Sequence, residues 1–387
     1  MKGTWLLAWR YVTYHRWRSL LLCLALALTV VLPITVQVLV GRFERELTER
    51  ADATPLVLGA VGSRYDLVLS SLYFRGRIPA PVNLSAAEAL RATGLADAHP
   101  VLARNTAKGA PLVGVELDYF AFRKLVPKRG TLPQMLGDCV LGATIAEELG
   151  LGPGDSVLSD QENLYDISKS YPLKMPVVGV LAPNGSPDDH AVFSDLATAW
   201  IVEGIGHGHR PPQEQTDEQR LSTEEGHIRL NASIVEYNEI TPANEASFHF
   251  HATADELPLT GVLVEPFDRK SRTLLLGRYR VDDELQLLEP GVVVQELLGF
   301  VFRLKTFFDA NALAVLGATI LFLGTIVLLS IQVRRRELDT LMKIGAARTT
   351  LVRLVGTELF FLALGGAVIA TLLAFPILSL LLQHAGL

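Results

Sequence analysis

The chain has 387 residues, is 49% hydrophobic and only 20% charged, and carries a formal net charge of −6 with two cysteines. The two cysteines, Cys23 in an apolar run and Cys139 far from it, make an intrachain disulfide implausible. Residues 42–309 hold most of the acids, and an acidic segment of that size argues against nucleic acid, which selects basic surfaces.

The N-terminal stretch holds Lys2, Arg10, Arg16 and Arg18 without an acid. Trp5, Leu6, Trp9 and Val12 recur there at helical spacing, which predicts an amphipathic helix in the membrane interface over residues 1–18. Residues 19–41 follow without a charge, and two more charge-free runs cover 310–333 and 359–387. Roughly 20 apolar residues cross a bilayer core of about 30 Å, so each run predicts a transmembrane helix, the third placed over 354–383. Pro33 predicts a kink in the first span. The first run is too long for a cleavable signal and lacks a small-x-small site after it.

Orientation follows from the flanks. Residues 334–353 carry Arg334, Arg335, Arg336, Lys343, Arg348 and Arg353 against Glu337 and Asp339. Short Lys/Arg-rich segments stay in the cytoplasm, which predicts an inside N-terminus, an extracytoplasmic segment over 42–309 and an extracytoplasmic end at 384–387. That large segment holds 25 Lys+Arg and 38 Asp+Glu, so the charge of the chain is sharply divided.

Within 42–309 the pattern predicts an α+β domain. Strands are expected over Asp66–Leu69, Val113–Glu116, Cys139–Leu141, Pro176–Leu181, Ala191–Ser194, Ile228–Glu236 and Thr260–Glu265. Helices are expected over Ser85–Thr93, Ala143–Leu149, Leu196–Glu203 and Asp268–Leu276, the first with Ser85 and Glu88 at capping-box spacing. Gly204 to His227 is polar and predicts a solvated loop. From Pro290, a favoured first helical residue, Val293, Leu297, Phe300, Leu304 and Phe307 predict an amphipathic helix running into the second span.

Motifs for chemistry are few. No Gly-x-x-x-x-Gly-Lys-Ser/Thr loop, Gly-x-Ser-x-Gly elbow or His-Glu-x-x-His pair occurs, and Gly204-Ile205-Gly206 lacks the later glycine of a dinucleotide site. No catalytic, cofactor or metal residue is therefore assigned. His207 with His209, and His249 with His251, form two His-x-His pairs of the kind that ligate zinc or copper. Without a Cys or a spaced carboxylate they read as loop histidines. Asp188-Asp189 and Asp282-Asp283 read as turn and surface residues, Cys139 as a buried strand thiol, and Asn231-Ala232-Ser233 as a chance sequon.

The basic turn has internal order. Arg335 to Lys343 continues as a helix with Leu338, Leu341 and Met342 on one face, Gly345 can end it, and a second helix carries Arg353 and Glu358 into the third span. Arg335, Arg336, Glu337, Leu341, Ile344, Gly345, Ala346 and Glu358 resemble the loop of the FtsX/MacB-type permeases of ABC transporters. Segments at 61–73, 140–155 and 177–189 resemble that family's outer domain.

The resemblance implies a membrane α-helical protein with a MacB-like periplasmic core, porter-like with a lobe inserted at roughly 120–250. It implies a multi-pass subunit of the inner (plasma) membrane that binds no nucleotide itself. The partners implied are a cytoplasmic ABC ATPase that uses ATP and magnesium, a second permease subunit (the same chain or another), the lipid bilayer and a periplasmic adaptor, with no nucleic acid. Arg335, Arg336, Glu337, Leu338, Leu341, Met342, Ile344, Gly345 and Glu358 would couple to the ATPase. The cargo expected is a lipid, lipoprotein, peptide or drug, or force alone. The family pattern has a fourth span that does not occur before Leu387, which implies either a truncated sequence or a helix supplied by a partner. The alternative class is a membrane-anchored sensor or scaffold. Its mark would be a cytoplasmic signalling domain, whereas segments 1–18 and 334–353 total 38 residues.

Overall fold

The computed structural model describes residues 2–160, 172–208, 220–224, 227–230, 238–333 and 335–385. His209, the sequon at 231–233 and Arg334 lie outside the described residues, as do the side chains of Glu337, Leu338 and Leu341.

The chain opens with α1 (Lys2–Tyr14), α2 (Arg16–Asp52), β1 (Leu56–Ala60), α3 (Arg64–Tyr73), β2 (Val82–Asn83) and α4 (Leu84–Ala92). It continues through β3 (Ala96–Ala107), β4 (Ala110–Val115), α5 (Leu117–Phe122), β5 (Pro127–Gly130), β6 (Cys139–Leu141) and α6 (Ala143–Leu149). Next come β7 (Ser156–Leu158), β8 (Lys174–Leu181), a 3₁₀ turn at Pro187–His190, β9 (Val192–Asp195), α7 (Leu196–Val202) and β10 (Gly206–Gly208). Then follow β11 (Arg220–Glu224), β12 (His227–Leu230), β13 (Phe248–Phe250), β14 (Pro258–Leu259), β15 (Gly261–Pro266), α8 (Arg269–Tyr279) and β16 (Leu285–Leu288). The last described helices are α9 (Pro290–Val333), α10 (Arg335–Lys343) and α11 (Arg348–Ala385).

Two compact units result, a helical one of Met1–Arg45 with Leu298–Leu387 and a mixed-sheet one of Glu46–Leu297. The sheet unit is built on a ten-stranded sheet ordered β16-β1-β15-β3-β4-β9-β6-β8-β5, with β7 pairing on β8. Its pairs are antiparallel except β4 with β9 and β6 with β8. Leu56 and Leu58 of β1 and Val262 and Val264 of β15 face one core with α4, α7 and α8. Val57 and Leu263, which alternate with them, are equally buried, so these strands read as continuous apolar runs rather than alternating ones. A second core joins Cys139, Leu141, Val157, Met175 and Val177 to Ile145 and Ala146 of α6.

Most expected elements of this unit occur within a residue or two, and three readings are corrected. Asp66–Leu69 lies in α3, where the Ser63 hydroxyl accepts from the Asp66 amide as an N-cap; a short apolar run does not separate strand from helix. The helix expected from Ser85 starts one residue earlier with Asn83 at its N-cap, so Ser85 does not cap it. The stretch Gly204–His227 is not all loop, since it contains β10, β11 and the first residue of β12. Ile228–Glu236 is described only as far as Leu230.

In the helical unit, α2, α9 and α11 are long and apolar enough to cross a membrane. Trp5 and Trp9 of α1 meet Phe360 and Phe361 of α11 edge-on, with ring centroids 5.3–5.7 Å apart. A Cβ placed on Gly365 or Gly366 would come within 3.0 Å of Cys23 Sγ or Leu26 Cβ, so small residues let α11 approach α2 closely. Thr29 and Thr319 hydroxyls meet at 3.2 Å between α2 and α9. Leu321, Phe322, Leu328, Phe375 and Leu372 stay exposed on the outer faces, where a lipid solvent would cover them.

Candidate functional site

The basic turn is an independent short helix. Thr340 Oγ1 donates to the Arg336 carbonyl at 2.8 Å, and the Ile344 amide closes the last turn on Thr340 at 3.1 Å. Gly345 then adopts φ +98°, a left-handed conformation that a side chain resists, and its amide bonds the Met342 carbonyl at 3.0 Å. The chain re-enters a helix at Arg348. Arg335, Arg336 and Met342 are exposed, and Ile344 is 76% exposed.

Glu358 sits apart from this group. It is 9% exposed and lines a cavity with Tyr11, His15, Arg18 and Ser19, so it faces neighbouring helices rather than the open turn.

In the sheet unit, the strongest polar assembly is one that sequence reasoning missed. Arg50, in the last turn of α2, is buried and grips both carboxylate oxygens of Asp188. It also donates to Tyr119 Oη at 3.0 Å and, through Nε, to the Leu72 carbonyl at 3.0 Å. Tyr119 Oη donates to Asp188 Oδ1 at 2.8 Å, and Ser186 Oγ to Oδ2 at 3.0 Å. Burial alone would raise the Asp188 carboxyl, but the Arg50 charge outweighs it and holds the group below its ordinary value. Burial and the adjacent carboxylate push the Tyr119 hydroxyl up to about 12. Arg123 stacks over Phe122 at 4.7 Å; burial and the Arg50 charge draw it down to about 10.

This corrects the reading of Asp188-Asp189 as surface residues: both are buried. Asp189 accepts from the amides of Asn184 and Gly185, which pins the turn that delivers Asp188. Asp282-Asp283 is exposed, and Asp282 accepts from the Glu284 and Leu285 amides as a turn residue does. Cys139 is fully buried, and burial pushes its thiol up to about 12, as a structural thiol requires.

The paired histidines also need correction. His207 and His249 are not in loops: they face each other across β10 and β13, with ring centroids 4.8 Å apart, and His251 lies 5.2 Å from His207. His209, the other half of the first pair, lies outside the described residues.

Among the described residues, three helices apolar and long enough to cross a membrane share one chain with a mixed-sheet domain. Residues 19–216 match the model of the MacB-like periplasmic core domain, and the chain belongs to that family, that of the MacB/FtsX-type permeases of ABC transporters. Among solved structures it is similar to the periplasmic region of MacB from Actinobacillus actinomycetemcomitans, at 14% identity over 65% of this chain and 97% of that one, with a TM-score of 0.35. It is also similar to the extracellular domain of the noncanonic ABC-type transporter YknZ from Gram-positive bacteria, at 12% identity over 60% and 98%, with a TM-score of 0.33. No curated protein matches the chain.

Proposed function

We propose that this chain is the membrane subunit of an ABC complex, with residues 334–353 in the cytoplasm and the sheet unit on the far side of the bilayer. The Lys/Arg bias of residues 1–18 and 334–353 supports that orientation. A separate cytoplasmic ATPase binds ATP and magnesium, and α10 docks on it through Arg335, Arg336, Glu337, Leu338, Leu341, Met342 and Ile344. Gly345 lets the docked helix turn against α11, and Glu358, further along α11, belongs to the same coupling segment. A second permease subunit, identical or not, completes the assembly. The sheet unit acts as a porter-like core with an inserted lobe at roughly 120–250. Its work is to export or release a hydrophobic or amphipathic cargo, or to pass force to an outer partner.

The observation that carries this reading is α10, a nine-residue charged helix ended by a glycine at positive φ between two helices long enough to span a membrane. Helix-in-groove docking uses one apolar helix face, which the spacing of Leu338, Leu341 and Met342 supplies. Burying two leucines contributes about 1.5–3 kcal/mol each. Replacing Leu338 and Leu341 together by Asp should weaken the ATPase complex at least ~100-fold, at about 1.4 kcal/mol per tenfold. The measurement is co-purification of the ATPase at equal membrane expression. Normal retention by the doubly substituted chain would reduce the turn to a topological anchor.

A further inference from the structure

Two short strands of the sheet unit have a strict division of faces. In β10 the order is Gly206-His207-Gly208, and in β13 it is Phe248-His249-Phe250, with Gly206 opposite Phe250, His207 opposite His249 and Gly208 opposite Phe248. Side chains alternate across a strand, so both phenylalanines share one face and the histidines the other. The phenylalanine face is anchored. Phe250 packs on both hydrophobic cores and meets Trp200 edge-on at 6.2 Å, and Phe248 packs on the second core. The glycines admit the rings, since a Cβ on Gly206 or Gly208 would lie 2.5–2.6 Å from a ring carbon.

The opposite face therefore holds its histidines on a fixed ladder. His251 keeps the same parity two residues beyond His249 and joins them, with centroids 4.8 Å from His249. Ligand nitrogens of His207, His249 and His251 all lie within 4.8 Å of one another. His249 Nδ1 is 2.9 Å from the Ser247 carbonyl, and a ring nitrogen that donates there puts the lone pair on Nε2. That backbone-oriented tautomer is the one metal-ligating histidines adopt. His207 and His249 are half-buried and His251 is exposed, which gives an ion both walls and an entrance.

We infer that His207, His249 and His251 form a binding site for a divalent transition-metal ion of the zinc and copper class. Three neutral imidazoles with a fourth position open to water suit such ions and not magnesium or calcium, which take oxygen ligands. Metal–nitrogen bonds of about 2.0–2.1 Å set nitrogens ~3.3 Å apart in a tetrahedral site, so the rings close inward by side-chain rotation on binding. The inference is independent of α10 and of any ATPase.

The test is calorimetric titration of the full chain in detergent, purified without a histidine tag, with zinc, copper and magnesium chlorides. One zinc or copper ion should bind per chain at neutral pH, copper more tightly, and magnesium not at all. Affinity should fall as the pH is lowered, because a proton competes with the metal for each ligating nitrogen. His251→Gln, at an exposed position that leaves folding intact, should weaken binding at least ~10-fold. The triple variant with His207→Gln and His249→Gln should abolish it, while His190→Gln should leave it unchanged. Binding that survives the triple substitution, equal binding of magnesium, or no stoichiometric uptake by the wild type would overturn the site.

Discussion

Arg50 and Asp188 lie 138 residues apart in the chain and form a buried, two-pronged ion pair in the sheet unit. Tyr119, Ser186 and the Leu72 carbonyl complete the shell, so both charges have partners without water. One end of α2 is thereby fastened to α3, α5 and the turn before β9.

Removing one member of this pair should be far worse than removing both. Arg50→Met or Asp188→Leu alone leaves a buried charge unpaired, and about 3–5 kcal/mol of stability should be lost. The double variant should recover much of that loss, because two apolar groups of similar volume replace the pair. Chemical denaturation of the three proteins in detergent decides it; additive losses would mean the two side chains act separately.

The same pair sets a pH dependence. Arg50 holds the Asp188 carboxyl below its ordinary value in the folded protein, so its contribution is present above the unfolded pKa of about 3.9 and is lost as pH falls through the lower folded value. The melting temperature of the wild type should drop in that acid range. Asp188→Asn, already destabilised at neutral pH, should show a shallower acid slope; parallel slopes would assign acid sensitivity to other carboxylates.

Labelling can fix the orientation. Val281, 83% exposed in the sheet unit, and Ala347, exposed in the basic turn, each become a single reactive site when changed to cysteine, because Cys23 and Cys139 are buried. A membrane-impermeant maleimide should label Val281→Cys in intact cells and Ala347→Cys only after lysis. The reverse pattern would invert the topology.

What the sequence made legible follows from range. The three long apolar helices, α10 and the break at Gly345 depend on local composition, helical period and one glycine, all of which a linear reading contains. Cys139–Leu141 and Ala143–Leu149 were equally plain, since a strand, a glycine and a helix follow in order. Ser63 was readable as a cap in principle, but the apolar run behind it masked the helical period. The Arg50 assembly had no local signal: its members come from α2, α5 and a 3₁₀ turn, and only the tertiary fold joins them. The histidine face was half visible. Two His-x-His spacings stood in the chain, but the pairing of β10 with β13, which sets His207 opposite His249, is a long-range fact.

The manner of Arg50's grip carries a mechanical meaning. A single hydrogen bond would leave α2 able to spin about its axis while keeping its height. The planar guanidinium fork on Asp188, with Nε braced separately on Leu72, fixes azimuth as well as elevation. Within the sheet unit, the last turn of α2 is thereby held against rotation as well as displacement. Arg50→Lys, which keeps the charge but offers no planar fork, would loosen the rotational register while retaining attraction to Asp188, turning a keyed shaft into a ball joint.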